Sequence, residues 1–390
     1  MRRPIPLAAA ALVLTLTLPT TAQEAEPWSG PALADTPMSE ADAAIIDQTV
    51  ADTIAQVPDL VGMWIGIWDP EKGYYLQAYR DAARDGEPAA IDQHGRIGSV
   101  TKTFTITAIL QQVAEGNLSL DSTIADVLPD LAAEYPDIAD VTVEQLAGMH
   151  SPIQDYANTG VTISQVVEDP QHVFTPDELI AAGMSLPLMD PEVGGYSTTN
   201  TIILGEMLEA LTGVPVEEVV TDVARQAGMT ETALRAPELT AMPDPASRGY
   251  MGASGAVQMA ELGLDIAPDA DVTDWTPSWG QAGGGMYSTV ADLGLWAETG
   301  LGTSLLPADV AAERLDFQPI PEGSYGLGVF DFGNGWIGHS GQIIGWESIV
   351  LYNRDTGAAF TAIVNDTGNL GAAESVAFTV LPDLGGLFGL

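Results

Sequence analysis

The apolar positions near the start of the chain predict a helix followed by a β-hairpin. Ser39 is a suitable helix N-cap, and apolar residues follow it at helical spacing as far as Val57. Residues 61–68 and 74–78 are β-rich runs, and the turn signal Asp-Pro-Glu-Lys-Gly at 69–73 separates them. We expect these two runs to pair as antiparallel strands.

The rest of the chain divides into an apolar helix, a helical middle and a β-rich end. Apolar spacing predicts a buried helix from Ser99 to about Glu115. Residues 118–270 are rich in Pro and Asp, which indicates short helices and loops. The end of the chain carries β-rich runs separated by turn signals, followed by a short closing helix. The runs are 325–330, 336–339, 347–352 and 358–364, and the helix is 371–380.

The order of these elements predicts an α/β (α+β) protein. An early hairpin, a helical middle and a late antiparallel meander indicate one antiparallel sheet flanked by helices, with a mostly helical insertion. We place the sheet unit at residues 39–115 and 280–390, and the helical region at 116–279. Together they form one domain, 39–390.

The N-terminus has the pattern of an export signal. Two arginines precede an apolar run over residues 4–18, and small residues follow at 19–22. The run is shorter than the ~20 apolar residues that a membrane-spanning helix needs. We therefore predict a signal peptide cleaved after Ala22 and a flexible leader over 23–38. The mature protein would be periplasmic or extracellular, without stable membrane insertion; a retained anchor is the alternative.

The charge balance excludes several classes of partner and site. The 390 residues include 54 acidic and 12 basic side chains, for a formal net charge of −42. Such a surface repels nucleic acids and anionic membranes, and it is typical of a protein kept soluble at high salt. A calcium-binding surface is the alternative, although the chain has no D-x-D-x-D-G loop. With no cysteine and four scattered histidines, we expect no disulfide, metal or cofactor.

Ser99 and Lys102 are the first candidates for chemistry. They stand three residues apart, so they share one face of the apolar helix. An ammonium beside a hydroxyl stabilises its alkoxide or, when desolvated, accepts its proton, and a helix N-terminus favours the negative charge. A serine N-cap with a lysine extended to solvent is the alternative. The chain has only two lysines, which favours the catalytic interpretation.

Two further motifs have weaker signals. Tyr196 follows two glycines at a loop-to-helix junction, where a nearby ammonium would lower the pKa of its phenol and make it a general base. The alternative is a packing tyrosine. His339, Ser340 and Gly341 lie on a predicted strand bounded by glycines. Glycine in a strand often marks the close approach of another backbone, and a substrate could pair with such an edge. The alternative is a bulge with an exposed histidine.

Taken in order, these three motifs resemble the serine hydrolases of the class C β-lactamase and D-alanyl-D-alanine carboxypeptidase group. That group includes D-aminopeptidases and β-lactamase-like esterases. The resemblance runs from about residue 60 to 380 and implies a β-lactamase/transpeptidase-like fold. Further phrases that carry it lie at 115–121, 145–156, 174–179, 283–293 and 325–328.

The resemblance implies a role for each matching residue. Ser99 would be the nucleophile, Lys102 its charged partner and Tyr196 the residue that exchanges protons. The backbone N–H groups of Ser99 and Gln342 would form the oxyanion hole. The other matches to substrate-binding positions are His339, Ser340, Gly341 and Thr198.

The chain departs from the family pattern at positions that bear on the substrate. Thr198 stands where a Tyr-x-Asn motif has its asparagine, so an amide that can grip a substrate carbonyl is missing. His339 replaces the lysine of K-T-G, as in the peptidase and esterase branches, and neutral histidine attracts a carboxylate less than lysine does. Met149 and Pro152 stand where a histidine and a glycine are usual.

Our hypothesis is an exported serine hydrolase that forms an acyl-enzyme and needs no metal or cofactor. Its expected partner is a small-molecule or peptide substrate. D-amino-acid peptides of the cell-wall type come first, as for a D-Ala-D-Ala carboxypeptidase or D-aminopeptidase. Carboxylic esters come second and β-lactams third. The alternatives are an inactive relative that binds peptidoglycan or a partner protein, and an unrelated acidic binding protein.

Overall fold

The computed structural model describes residues 34–57 and 59–368. The predicted signal peptide, residues 23–33 of the predicted leader and the predicted closing helix at 371–380 lie outside these ranges. Within the described ranges, no helix combines the length and the hydropathy that spanning a bilayer requires.

An eight-stranded antiparallel sheet forms the centre of the described chain, in the order β2-β1-β11-β10-β9-β8-β7-β6. Two short pairings, β3 with β5 and β4 with β12, lie outside it. The strands are β1 (Gly62–Asp69), β2 (Gly73–Arg80), β3 (Gly95–Arg96), β4 (Tyr250–Met251), β5 (Tyr287–Ser288), β6 (Gln318–Ile320), β7 (Gly323–Tyr325), β8 (Phe330–Gly333), β9 (Trp336–Ile343), β10 (Trp346–Asn353), β11 (Ala359–Val364) and β12 (Asp366–Thr367).

α-Helices flank this sheet, and ten of those described lie in the region between β3 and β5. In the described ranges they are α1 (Glu40–Ile54), α2 (Thr101–Ala114), α3 (Ile124–Val127), α4 (Pro129–Glu134), α5 (Val143–Ala147), α6 (Val161–Glu168), α7 (Pro176–Met184), α8 (Thr198–Thr212), α9 (Val216–Gln226), α10 (Ala253–Glu261), α11 (Gln281–Gly284), α12 (Val290–Trp296) and α13 (Ala308–Arg314).

Strand β1 shows how the sheet separates two hydrophobic cores. Successive side chains of a strand point to opposite faces. Trp64 and Trp68 join the large core shared with the helical region. Met63, Ile65 and Ile67 join a second core with the apolar face of α1. The whole of β1 is therefore buried, which explains why its sequence is apolar almost throughout.

The described architecture confirms the predicted fold class. The side chain of Ser39 caps α1 by accepting a hydrogen bond from the Asp42 N–H, and the predicted hairpin is β1–β2. The prediction of one strand over 325–330 is wrong. Tyr325 ends β7, Phe330 begins β8, and these two residues pair with each other. The glycines between them form the connection instead, and Gly328 has a φ of +81°. The predicted boundaries at 115 and 280 stay a prediction.

Candidate active site

Ser99 lies in a tight turn that joins β3 to α2. The turn is a 3-10 segment, Gly98–Val100, and the helix predicted from Ser99 begins at Thr101. Gly98 has a φ of +47°, and a Cβ on it would lie 2.6 Å from the backbone nitrogen of Gln342. Only glycine permits this approach. This close approach holds the Ser99 turn against the backbone of β9.

Lys102 lies directly behind Ser99 and is fully buried. Its Nζ donates hydrogen bonds to Ser99 Oγ at 3.0 Å and to the carbonyl oxygen of Gly283 at 2.8 Å. Burial lowers the pKa of the Lys102 ammonium to about 7, and the negative charge of Asp155 opposes this shift. Near neutral pH the side chain therefore exists both as an ammonium and as an amine that can accept a proton.

Tyr196 lines the same cavity as Ser99, and the Ser99 hydroxyl acts to lower the pKa of its phenol. Lys102 Nζ lies 5.0 Å from the centroid of the Tyr196 ring. Burial raises the pKa of Tyr196 well above its usual value, and the neighbouring Tyr325 adds to the increase. The expectation that a nearby ammonium lowers this pKa is wrong, because the cost of burying a phenolate is the largest effect on it. Tyr196 is thus a neutral phenol that can donate a proton.

Aromatic rings and a carboxylate hold Tyr196 in place. Its ring centroid lies 5.9–6.2 Å from those of Tyr325, Phe330 and His339. Its backbone N–H donates a hydrogen bond to Glu322 Oε2 at 3.2 Å. Glu322 lies in the turn between β6 and β7, so the far edge of the sheet positions the candidate proton donor.

His339 is buried, with 1% of its surface exposed, so the alternative of an exposed histidine is wrong. Its Nδ1 contacts the carbonyl oxygen of Ser340, and its Nε2 lies 3.2 Å from the Tyr325 hydroxyl. Because a carbonyl oxygen only accepts, Nδ1 carries the proton and Nε2 accepts from Tyr325. Burial and the charge of Lys102 lower the pKa of His339 to about 3, so the ring is neutral at physiological pH.

The second half of β9 forms an edge beside the Ser99 turn. Strand β8 pairs with β9 only from Trp336 to Gly338, whereas residues 339–343 pair with β10. Pairing of a substrate with this segment stays a prediction. Gly341 faces the backbone of Ile97, and an added Cβ would meet the Ile97 carbonyl oxygen. Ser340 pairs with Ile349 across the sheet.

A cavity of about 240 Å³ opens beside Ser99 and brings together residues distant in sequence. Tyr196, Thr198 and Gln342 line it with Ser99. Lys102 reaches Ser99 from behind. Among the described residues that line the cavity, His339, Ser340 and Gly341 do not appear. The other lining residues are Asp155, Tyr156, Ala157, Ile163, Gly255, Gln258, Met259, Trp279, Gly280, Gly283, Gly284, Ile343, Ile344 and Thr367.

Asp155 is the functional candidate that sequence reasoning missed. It lines the cavity with only 6% of its surface exposed. Its Oδ2 accepts a hydrogen bond from Thr198 Oγ1 at 3.2 Å, and its Oδ1 accepts one from the Ala157 N–H at 2.9 Å. The Asp-Tyr pair at 155–156 was part of the resemblance, but nothing local connects it to a threonine 43 residues later. In the described residues, no group of three or more His, Asp or Glu side chains is arranged to hold a metal.

Comparison with known proteins identifies the family. The family model described as beta-lactamase matches residues 50–381. The chain belongs to the beta-lactamase family. Among curated relatives of this beta-lactamase family member, penicillin-binding protein 4 of Amycolatopsis lactamdurans is 29% identical over 277 residues, which are 69% of this chain and 68% of the relative.

Solved structures of other proteins share the fold of this beta-lactamase family member. A D-stereospecific amidohydrolase from Streptomyces is 26% identical, with a TM-score of 0.74, covering 89% of this chain and 99% of that one. A D-amino acid amidase from Ochrobactrum anthropi, solved with L-phenylalanine amide, has a TM-score of 0.76 at 24% identity over the same shares. The predicted family and the predicted fold are both confirmed, and the protein is a serine hydrolase of this family.

Proposed function

We propose that this beta-lactamase family serine hydrolase cleaves amides of D-amino acids through an acyl-enzyme on Ser99. The observation that carries the proposal is the hydrogen bond from Lys102 Nζ to the Ser99 hydroxyl, at a small cavity that Tyr196 also lines. Two of the similar solved structures are a D-stereospecific amidohydrolase and a D-amino acid amidase, which supports this substrate class.

The protonation states suggest that Lys102 accepts a proton and Tyr196 donates one. Lys102 in its amine form takes the proton of Ser99, whose oxygen attacks the amide carbonyl. The N–H groups of Ser99 and Gln342 stabilise the resulting oxyanion. Tyr196, neutral because its pKa is raised, donates its proton to the departing nitrogen, and ammonia leaves. Water then attacks the ester carbonyl and gives a proton to the Tyr196 phenolate. The bond to Ser99 breaks, Lys102 returns its proton to the Ser99 oxygen, and the D-amino acid leaves.

The charges around the cavity favour an uncharged leaving group and a substrate with a free amine. Asp155 presents a carboxylate to the cavity, and no Lys, Arg or His is among the described residues that line it. His339 is neutral and buried, so it supplies no cation for a substrate carboxylate. A peptide ending in D-alanine would bring its carboxylate towards Asp155, whereas the α-ammonium of an amino acid amide would be attracted. These observations favour an amidase over a carboxypeptidase.

The size of the cavity points in the same direction. Its volume of about 240 Å³ is below the range of roughly 300–1,000 Å³ typical of pockets for larger ligands. One amino acid amide suits it better than a long peptide. Carboxylic esters are the second candidate substrate, because an ester with a small acyl group would acylate Ser99 in the same way. The cavity is also largely apolar on one side, which suits such a group.

Release of ammonia from D-phenylalanine amide by the purified protein tests the proposal, with Ser99→Ala as the control. We expect turnover of the D-amide by the wild type alone, and slower turnover of a peptide ending in D-Ala-D-Ala. Intact mass after a fluorophosphonate treatment would show one adduct on the wild type and none on the variant. A Ser99→Ala protein that keeps full activity would refute the assignment. Labelling of Ser99 with turnover of esters alone would replace the amidase by an esterase.

We also propose that the protein is exported. The support is the charged start, short apolar run and small-residue site within residues 1–22. Expression of the full chain in a bacterial host and sequencing of the secreted protein would test this. A mature N-terminus at Gln23 is expected, and an intact Met1 in a cell-bound protein would contradict it.

A further inference from the structure

One side of the Ser99 cavity is apolar and is built from two helices of the insertion. Ile163 comes from α6 and Met259 from α10, and both are half-buried and line the cavity. Ala157, Trp279 and Ile344 continue the same apolar lining. The polar groups described above, Asp155 and Thr198 among them, line the cavity too, so it offers both polar and apolar surface.

The orientation of α10 explains why Met259 faces the cavity. Gly255, Gln258 and Met259 stand at positions i, i+3 and i+4, which share one helix face, and all three line the cavity. Val257 lies between them in sequence but on another face, with 61% of its surface exposed. Helix α10 thus places Met259 at the cavity and Val257 in solvent.

Helix α10 is also held firmly in position. The Gly252 N–H donates a hydrogen bond to the carbonyl oxygen of Thr367 at 2.7 Å. A Cβ on Gly255 would lie 2.5 Å from that same oxygen, so the helix approaches β12 as closely as only glycine allows. Met259 therefore projects from an anchored helix, as a side chain that selects substrates by shape requires.

We propose that Ile163 and Met259 form the binding site for the side chain of the acyl residue, and that they select D-amino acid amides with apolar side chains. This inference rests on the proposed function. Met259 is flexible and polarisable, so it adapts to aliphatic and aromatic groups. Each methylene of substrate buried against this surface is worth a factor of about four in kcat/KM, by the transfer free energy of a CH₂ group.

The test compares kcat/KM for the amides of D-alanine, D-leucine and D-glutamate. For the wild type we expect D-leucine amide to exceed D-alanine amide by roughly tenfold or more, and D-glutamate amide to be the poorest. Met259→Gln keeps the length of the side chain and removes its apolar character, and Ile163→Ala removes apolar surface. Each should lower the ratio of kcat/KM for D-leucine amide to that for D-alanine amide by about fivefold.

Val257→Gln is the matched control, because it makes a similar change on the solvent face of the same helix. It should leave every kcat/KM value unchanged. An unaltered D-leucine to D-alanine ratio in both Met259→Gln and Ile163→Ala, with folding intact by circular dichroism, would overturn the inference. So would an equal loss with all substrates, which would show a structural role instead.

A second measurement separates this inference from the proposed function. The rate at which methyl and isobutyl phosphonates modify Ser99 depends on the pocket but not on amide turnover. Failure to cleave any D-amide, combined with a preference for the isobutyl reagent that Met259→Gln abolishes, would refute the amidase and support the pocket. Turnover of D-amides with no preference between side chains or reagents would support the amidase and refute the pocket.

Discussion

The Nζ atom of Lys102 lies 3.0 Å from Oγ of Ser99, and the whole lysine side chain is removed from solvent. A lysine in water is protonated at neutral pH, whereas burial brings the pKa of this one to about 7. Because the two groups share a hydrogen bond, a change in the charge of Lys102 acts directly on the candidate nucleophile. The protonation state of Lys102 therefore becomes a measurable control on activity.

The activity should depend on pH through Lys102. With an uncharged ester as substrate, we expect kcat/KM to rise about tenfold per pH unit below about pH 7 and to level off above it, since only the amine form accepts the Ser99 proton. Asp155 raises the pKa of Lys102, so Asp155→Asn should move the midpoint to lower pH. A pH–rate profile for both proteins checks this, and a midpoint unmoved by the substitution would contradict it.

Replacing Lys102 should separate activity from stability. Lys102→Met keeps the buried aliphatic chain but removes the proton acceptor, so we expect kcat/KM to fall by about a thousandfold or more. The folded pKa of about 7 lies below the unfolded value of 10.5, so the unfolded wild type binds more protons between these values. Its free energy of unfolding should rise with pH across that window, compared with the variant. Urea unfolding at both ends of the window measures this, and parallel pH dependences would refute it.

Asp155→Asn should show whether the Asp155 carboxylate binds the α-ammonium of the substrate. Asparagine retains an oxygen that can accept the Ala157 N–H, so the local turn is expected to persist. We expect kcat/KM for D-phenylalanine amide to fall by about tenfold or more, because the α-ammonium loses its countercharge. N-acetyl-D-phenylalanine amide has no ammonium and serves as the matched substrate control. Equal losses with both substrates would argue that Asp155 does not bind the amine.

Tyr325→Phe should reduce stability through His339. The substitution removes the hydroxyl that donates to Nε2, and His339 has 1% of its surface exposed. An unsatisfied buried acceptor costs about 1–3 kcal/mol, so we expect a decrease of that size in the free energy of unfolding. Urea titration at about pH 7, where the imidazole is neutral, provides the measurement. A variant as stable as the wild type would show that this hydrogen bond contributes nothing.

Salt should stabilise the folded protein. A net charge of −42 on 390 residues creates self-repulsion in the compact state, and salt screens it. We expect the melting temperature to rise as potassium chloride increases from about 0.1 M to about 1 M, where the screening length falls from roughly 10 to 3 Å. Sucrose, a non-ionic stabiliser, is the control. A melting temperature that does not respond to salt would show that the acidic surface has no such role.

The sequence by itself determined the elements, the family and the local part of the site. Ser99 and Lys102 are neighbours because helical geometry brings residues three apart onto one face, so a short stretch of sequence was enough to pair them. The β1–β2 hairpin was also predictable, since its two β-rich runs and the turn between them are adjacent in sequence. The error at 325–330 had a local cause as well: an apolar run resembles a strand although its glycines make the turn between β7 and β8.

Only the tertiary structure decided the charge states and the shape of the site. Burial is the largest cause of the pKa shifts of Lys102, Tyr196 and His339. The segments that bury these side chains are distant from them in sequence. Asp155 meets Thr198, 43 residues later, because the folding of the insertion brings the loop at Asp155 and the start of α8 to one cavity. Residue patterns record local spacing, whereas desolvation and long-range charge are properties of the packed molecule, so they appear only when the chain is folded.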